Sequence, residues 1–133
     1  MEYGLIGNPL KHSFSSVLHP KFFDYKYELK ELGEQELDAF LKEKNFKGIN
    51  VTIPYKEAVF PYLTALDERA GEIGAVNTIV NKNGDLYGYN TDILGLRALI
   101  LKNNIEIKNK KVMILGSGGT SKTALSVASE LIS

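Results

Sequence analysis

Three short apolar runs, each cut off by a proline or glycine signal, alternate along this chain with stretches of helical periodicity. Tyr3 to Gly7 stops at Asn8-Pro9, Phe46 to Ile53 stops at Pro54, and Val112 to Leu115 runs into a glycine turn. Runs of this length suit buried strands. Tyr25, Tyr27 and Leu29 alternate with charged residues, the pattern of a half-buried strand. Between these runs, Val17, Leu18, Phe22 and Phe23 recur at helical spacing, with Pro20 shortening, delaying or bending that helix. Gly33-Glu34 opens a helix that shares Leu37, Phe40 and Leu41 on one face. Lys56 to Leu63 and Thr64 to Ile73 read as two short helices separated near Pro61, the second ended by Gly74. Ala75 to Val80 and Leu86 to Tyr89 are strand-like, and Asn83-Gly84 between them is a strong hairpin signal. Thr91 to Lys102 is an amphipathic helix carrying Ile93, Leu94, Leu96, Leu99 and Ile100. Strands alternating with helices predict an α/β fold: a mostly parallel open sheet with helices on both faces.

Composition narrows the function classes. The 133 residues amount to about one domain, and 44% hydrophobic with 24% charged is ordinary for a globular protein. Lysine plus arginine balance aspartate plus glutamate, 16 against 16, so no basic stripe points to nucleic acid and no acidic tail to a scavenging role. The absence of cysteine excludes disulfides, thiolate catalysis and cysteine metal sites. No apolar stretch approaches the roughly 18 residues of a membrane span, and the first residues lack a secretory pattern. The expectation is a cytoplasmic protein with a small-molecule ligand, no metal, and neither nucleic acid nor membrane as partner.

Five segments concentrate polar chemistry at strand ends. His12-Ser13-Phe14-Ser15 sets two hydroxyls two residues apart, suited to a carboxylate or to capping a helix. His12 alone reads as a structural or surface histidine. Asn50-Val-Thr52-Ile-Pro54-Tyr-Lys56 places a hydroxyl and an amine at the C-terminal end of a strand, where open α/β sheets bind ligands; Lys56 also fits a solvated side chain. Gly74-Ala-Val-Asn77-Thr78 and Gly88-Tyr-Asn90-Thr91-Asp92 offer polar residues beside strands, for a ligand or for local capping. Gly116-Ser117-Gly118-Gly119-Thr120-Ser121 follows a strand and opens a helix, so backbone N–H groups there can meet a phosphate. A P-loop reading of the same turn, drawing on Lys122-Thr123, requires glycine where Ser121 stands.

In order and spacing these five segments resemble the shikimate dehydrogenase family, and the resemblance covers the whole chain. It implies a shikimate-binding catalytic domain over residues 1–104 and, over residues 105–133, the truncated start of a Rossmann-like NAD(P)-binding domain, its first βα unit. It implies an oxidoreductase that reduces 3-dehydroshikimate to shikimate, in aromatic amino acid biosynthesis, with NADP or NAD as cofactor. The substrate carboxylate would meet Ser13 and Ser15, and the ring hydroxyls Thr52, Lys56, Asn77 and Asp92, with Lys56 and Asp92 the catalytic pair. Gly116, Ser117, Gly118, Gly119, Thr120 and Ser121 would bind the cofactor pyrophosphate. In the family a Ser-x-Ser pair leans toward shikimate and Ser-x-Thr toward quinate, so a quinate-preferring relative is the nearer alternative. A non-catalytic shikimate-binding module is the other, because family members run to about twice this length and the 133 residues alone are expected to be inactive. Two positions depart from the family pattern: Ser16 stands where proline is usual, and Pro20 where asparagine is common.

Overall fold

The computed structural model describes residues 1–11 and 13–133; His12 lies outside the described residues. Its sheet has six strands: β1 (Tyr3–Gly7), β2 (Tyr27–Glu31), β3 (Gly48–Val51), β4 (Ala65–Leu66), β5 (Thr78–Lys82) and β6 (Asp85–Tyr89). Their order across the sheet is β2-β1-β3-β5-β6-β4. β1 pairs in parallel with β2 and β3, and β4 with β6, whereas β5 runs antiparallel to both β3 and β6. Among the described residues the α-helices are α1 (Ser15–Phe22), α2 (Glu34–Glu43), α3 (Glu68–Ile73), α4 (Asp92–Lys102) and α5 (Gly119–Ile132).

Successive residues of β1 point to opposite faces. Ile6 joins Leu37, Phe40 and Leu41 of α2 in the main core, with Ile49, Val51 and Ile79. Leu5 joins Leu10 and Tyr27 on the other face, where His19 of α1 stacks on the Tyr27 ring with centroids 3.8 Å apart. Helices thus cover both faces, as the alternating pattern implied. The same alternation turns Asn50, flanked by core residues Ile49 and Val51, onto the Tyr27 face, opposite Leu5 and Thr78. The hairpin forms as expected: Asn83 and Gly84 have φ of 55° and 93°, and Lys82 pairs with Asp85.

Several elements differ from expectation. Phe46 to Ile53 yields only the four-residue β3. Ala75 to Val80 begins its ladder at Thr78. Lys56 to Leu63 is a set of turns ending in a 3₁₀ turn, Phe60–Tyr62. Pro61 brings no N–H to continue a helix, and the Lys56 carbonyl accepts from the Val76 amide across the fold instead. Ala65–Leu66, expected inside a helix, pairs with β6 as an edge strand. α1 buries none of its residues, and Val17, Leu18, Phe22 and Phe23 all face outward. Val112 to Leu115 does not form a strand, since no described strand offers it a ladder; Met113 and Leu115 are 82% and 88% exposed. The helix expected from about Ser121 does form, as α5, and it packs Val127 into a cluster with Ile93 of α4, Ile73 of α3 and Ala75.

Candidate active site

Strand ends and helix starts converge on a cavity of about 530 Å³. Its wall includes Ser13 and Ser15 at the start of α1, Asn50 and Thr52 at the end of β3, Lys56 in the following turn, Asn77 before β5, and Asp92 opening α4. The position is the one open α/β sheets use for ligands, beyond the C-terminal ends of parallel strands β1 and β3. All of Ser13, Ser15, Thr52, Lys56, Asn77 and Asp92 therefore border one space, although they come from separate parts of the chain.

Within it the Lys56 ammonium donates to Asp92 Oδ2 at 2.5 Å, and the lysine side chain is only 12% exposed. Asn77 is the hub beside this pair. Its Nδ2 donates to Asp92 Oδ1 at 3.0 Å and to Thr91 Oγ1 at 2.8 Å. Its Oδ1 accepts from the Thr91 backbone N–H at 2.8 Å and from the Thr78 hydroxyl at 3.2 Å. Both carboxylate oxygens of Asp92 are thus engaged by donors, which fixes the acid beside the amine.

Local capping explains less of this than the sequence allowed. The residue at the N-cap of α1 is Phe14, whose side chain makes no capping bond; Ser13 Oγ accepts from the Ser15 N–H at 3.3 Å. Thr91 and Asp92 do not cap α4 by their side chains either. Asn90 does, accepting from the Ile93 N–H at 3.2 Å while donating to Ala75 O and Thr123 Oγ1.

A second cavity of about 500 Å³ adjoins the first across Lys56. Gly116, Gly118, Gly119, Thr120 and Ser121 line it with Ile53, Pro54 and Glu57; Ser117 is not among its lining residues. Gly118 precedes α5, so the first-turn N–H groups of Gly119 and Thr120 have no intrahelical partner and face an anion-ready helix start. Gly116 takes φ 129°, open to glycine. A Cβ on Gly119 would lie 3.0 Å from Lys56 Cβ, so a side chain there would press on the lysine stem. These features fit a dinucleotide pyrophosphate. They do not fit a P-loop: Lys122 is paired with Glu57 at 2.8 Å, and Thr123 is buried against Asn90.

Sequence reasoning gave no role to the cavity residues Leu10, Lys11, Phe14, His19 and Asn50. Asn50 had a legible signal, a lone amide in an otherwise apolar strand. His19 had none, because its helix reads as an ordinary apolar stretch. Burial holds the His19 ring below the ordinary histidine range. Burial also pushes the Tyr27 phenol up to about 12, against a smaller opposing hydrogen bond from Ser15. Among the described residues no cluster of acidic or histidine side chains could hold a metal ion, and no helix is long and apolar enough to cross a membrane.

Residues 5–79 match the family model for the shikimate dehydrogenase substrate binding domain. A curated relative, shikimate dehydrogenase (NADP(+)) of Halothermothrix orenii, is 48% identical over 128 residues, covering 90% of this chain and 44% of its own. The enzyme of the same name from Carboxydothermus hydrogenoformans is 44% identical over 141 residues, covering 97% and 50%. Among solved structures, shikimate dehydrogenase 1 from Peptoclostridium difficile superposes with a TM-score of 0.91 at 38% identity, over 98% of this chain and 52% of that one. The Thermus thermophilus enzyme in complex with NADP(H) and shikimate gives 0.86 at 31% identity, over 98% and 52%. The chain spans about half the length of the curated relatives it matches.

Proposed function

This chain belongs to the shikimate dehydrogenase family, and we propose that it carries the substrate side of an NADP-linked reduction of 3-dehydroshikimate to shikimate. The observation that carries this reading is the Lys56–Asp92 pair, 2.5 Å apart in a cavity that Ser13 and Ser15 also line. Ser13 and Ser15 receive the substrate carboxylate. Thr52, Lys56, Asn77 and Asp92 surround the ring hydroxyls. Residues 1–104 form the shikimate-binding part, residues 105–133 belong to the nicotinamide part, and the setting is cytoplasmic.

Bound nicotinamide supplies the hydride that reaches the ring ketone carbon. The protein's own work is at the oxygen. As the carbonyl carbon gains hydride its oxygen becomes an alkoxide, and the Lys56 ammonium both stabilises that charge and gives it a proton. Asp92 holds the ammonium in place by a charge-assisted hydrogen bond, and Asn77 holds Asp92. The loop from Gly116 to Ser121 would hold the cofactor pyrophosphate, and Gly119 brings the start of α5 against the lysine stem.

Taken alone, the 133 residues bind substrate without sustained turnover, because the nicotinamide side consists of one loop and one helix beside an unpaired segment. Activity is therefore read in a hybrid, with this chain in place of the matching half of the Thermus thermophilus enzyme. Lys56→Ala should lower kcat in that hybrid by about 10²-fold or more, the scale for a positioned acid–base group. Near-normal turnover would remove Lys56 from the chemistry. Quinate, run in parallel, should be the poorer substrate.

A further inference from the structure

The polar groups beneath the cavity form one connected chain, and its direction can be worked out from groups whose role is fixed. The Thr91 backbone N–H can only donate, so the Asn77 atom 2.8 Å from it is the oxygen. The Asn77 backbone carbonyl can only accept, so the Asn50 atom 3.4 Å from it is the nitrogen. Asn50 Oδ1 therefore faces Tyr27, whose hydroxyl donates to it at 2.7 Å. Asn50 Nδ2 donates to Thr78 Oγ1 at 3.1 Å, which leaves the Thr78 proton for Asn77 Oδ1 at 3.2 Å. Asn77 Nδ2 then donates to Asp92 Oδ1 at 3.0 Å. At the other end the Tyr27 proton is committed to Asn50.

We propose that Tyr27, Asn50 and Thr78 are positioning residues: they form a one-way hydrogen-bond relay from Tyr27 to Asn77 that holds the Asp92 carboxylate against Lys56. The relay runs along the cavity wall through Asn50 and Asn77 to the acid–base pair. It rests on the function proposed above only for the identity of the occupant.

Each link has a physical reason to be fixed. Tyr27 is buried under the His19 ring, so its hydroxyl has few other directions, and burial keeps it protonated and donating. Asn77 has two acceptor bonds and two donor bonds, so turning its amide over would set Nδ2 against the Thr91 N–H and strand the Asp92 oxygen. Among the described residues no buried side-chain polar atom is left without a partner, so the network is closed rather than half made. Thr78 is the narrowest link, since one hydroxyl both receives from Asn50 and gives to Asn77.

That link separates positioning from packing. Thr78→Val keeps the shape and removes the hydroxyl; Thr78→Ser keeps the hydroxyl and removes a methyl. In the ligand-free 133-residue chain, Thr78→Val should move the side-chain amide resonances of Asn77 and Thr78→Ser should return them. With shikimate as the probe, Thr78→Val should weaken binding by about tenfold, the scale of one lost hydrogen bond, and Thr78→Ser should bind nearly as the parent. If Thr78→Val does not fold, Tyr27→Phe takes its place and should move Asn77 as well. The relay is overturned if the Asn77 resonances ignore the lost hydroxyl, or if Thr78→Ser is as impaired as Thr78→Val. If they follow the hydroxyl while the parent chain binds no shikimate, the relay stands and the substrate assignment falls.

Discussion

The sheet-forming part of this chain and the segment that precedes α5 have similar apolar runs and opposite fates. In β1 and β3, Ile6, Ile49 and Val51 are buried because strands flank them on both sides and α2 closes one face. Val112 to Leu115 is as apolar, yet Met113 and Leu115 face outward. An apolar run specifies a strand only where a ladder and a cover are available, because its backbone N–H and C=O groups need partners. A helix satisfies its own backbone, which is why α5 forms and docks while the run before it does not.

Stability measurements can break this contrast. Ile79 is fully buried in the main core, and Ile79→Ala should cost about 2–5 kcal/mol in urea unfolding. Leu115→Ala, at a side chain 88% exposed, should change stability by less than about 0.5 kcal/mol. Comparable losses would mean that the second run is packed after all. Asn90 sharpens the boundary, since it ties Ala75 to Thr123 of α5 and caps α4. Asn90→Ala should cost about 1–3 kcal/mol. Hydrogen exchange should accelerate in α5 more than in β1, and uniform acceleration would make α5 an integral part of the core.

The smallest effect is expected at high pH. The Tyr27 phenol, raised from 10.0 to about 12 by burial, stays protonated in the fold after an unfolded chain would have lost its proton. Its stabilisation is complete below pH 10 and is lost as pH rises toward 12. Tyr55 and Tyr62 are raised too, the first by burial and the second by its bond to Asp38, so the Tyr27 share is read by difference. The stability gap between the parent and Tyr27→Phe should narrow over that range. A constant gap would place the phenol in water.

Much of the sheet was legible because alternation and breakers act locally. Asn83-Gly84 gave the hairpin, and Leu37, Phe40 and Leu41 gave the buried face of α2. The misreadings came where a distant partner decided the outcome. Lys56 to Leu63 has helical apolar spacing, but its first carbonyl is taken by Val76, and Ala65–Leu66 is drawn to the edge of β6. In the cavity, Ser13, Ser15, Thr52, Lys56, Asn77 and Asp92 were visible as motif residues. Tyr27, Asn50 and Thr78 lay within view but gained a role only from cross-strand register, which a single sequence does not display. Asn90 had looked like one polar residue among several beside a helix start, and only burial makes it a tie between regions.

The central claim is that the cavity between the serine pair and the Lys56–Asp92 pair holds shikimate. Calorimetric titration of shikimate into the 133-residue chain tests it most directly, with Lys56→Ala and a Ser13→Ala, Ser15→Ala double variant alongside. The account predicts saturable one-to-one binding by the parent, weakened by about tenfold or more in each variant, as expected when a charged or paired hydrogen-bonding group is lost. No binding by a folded parent chain, or binding that both variants retain in full, would contradict it.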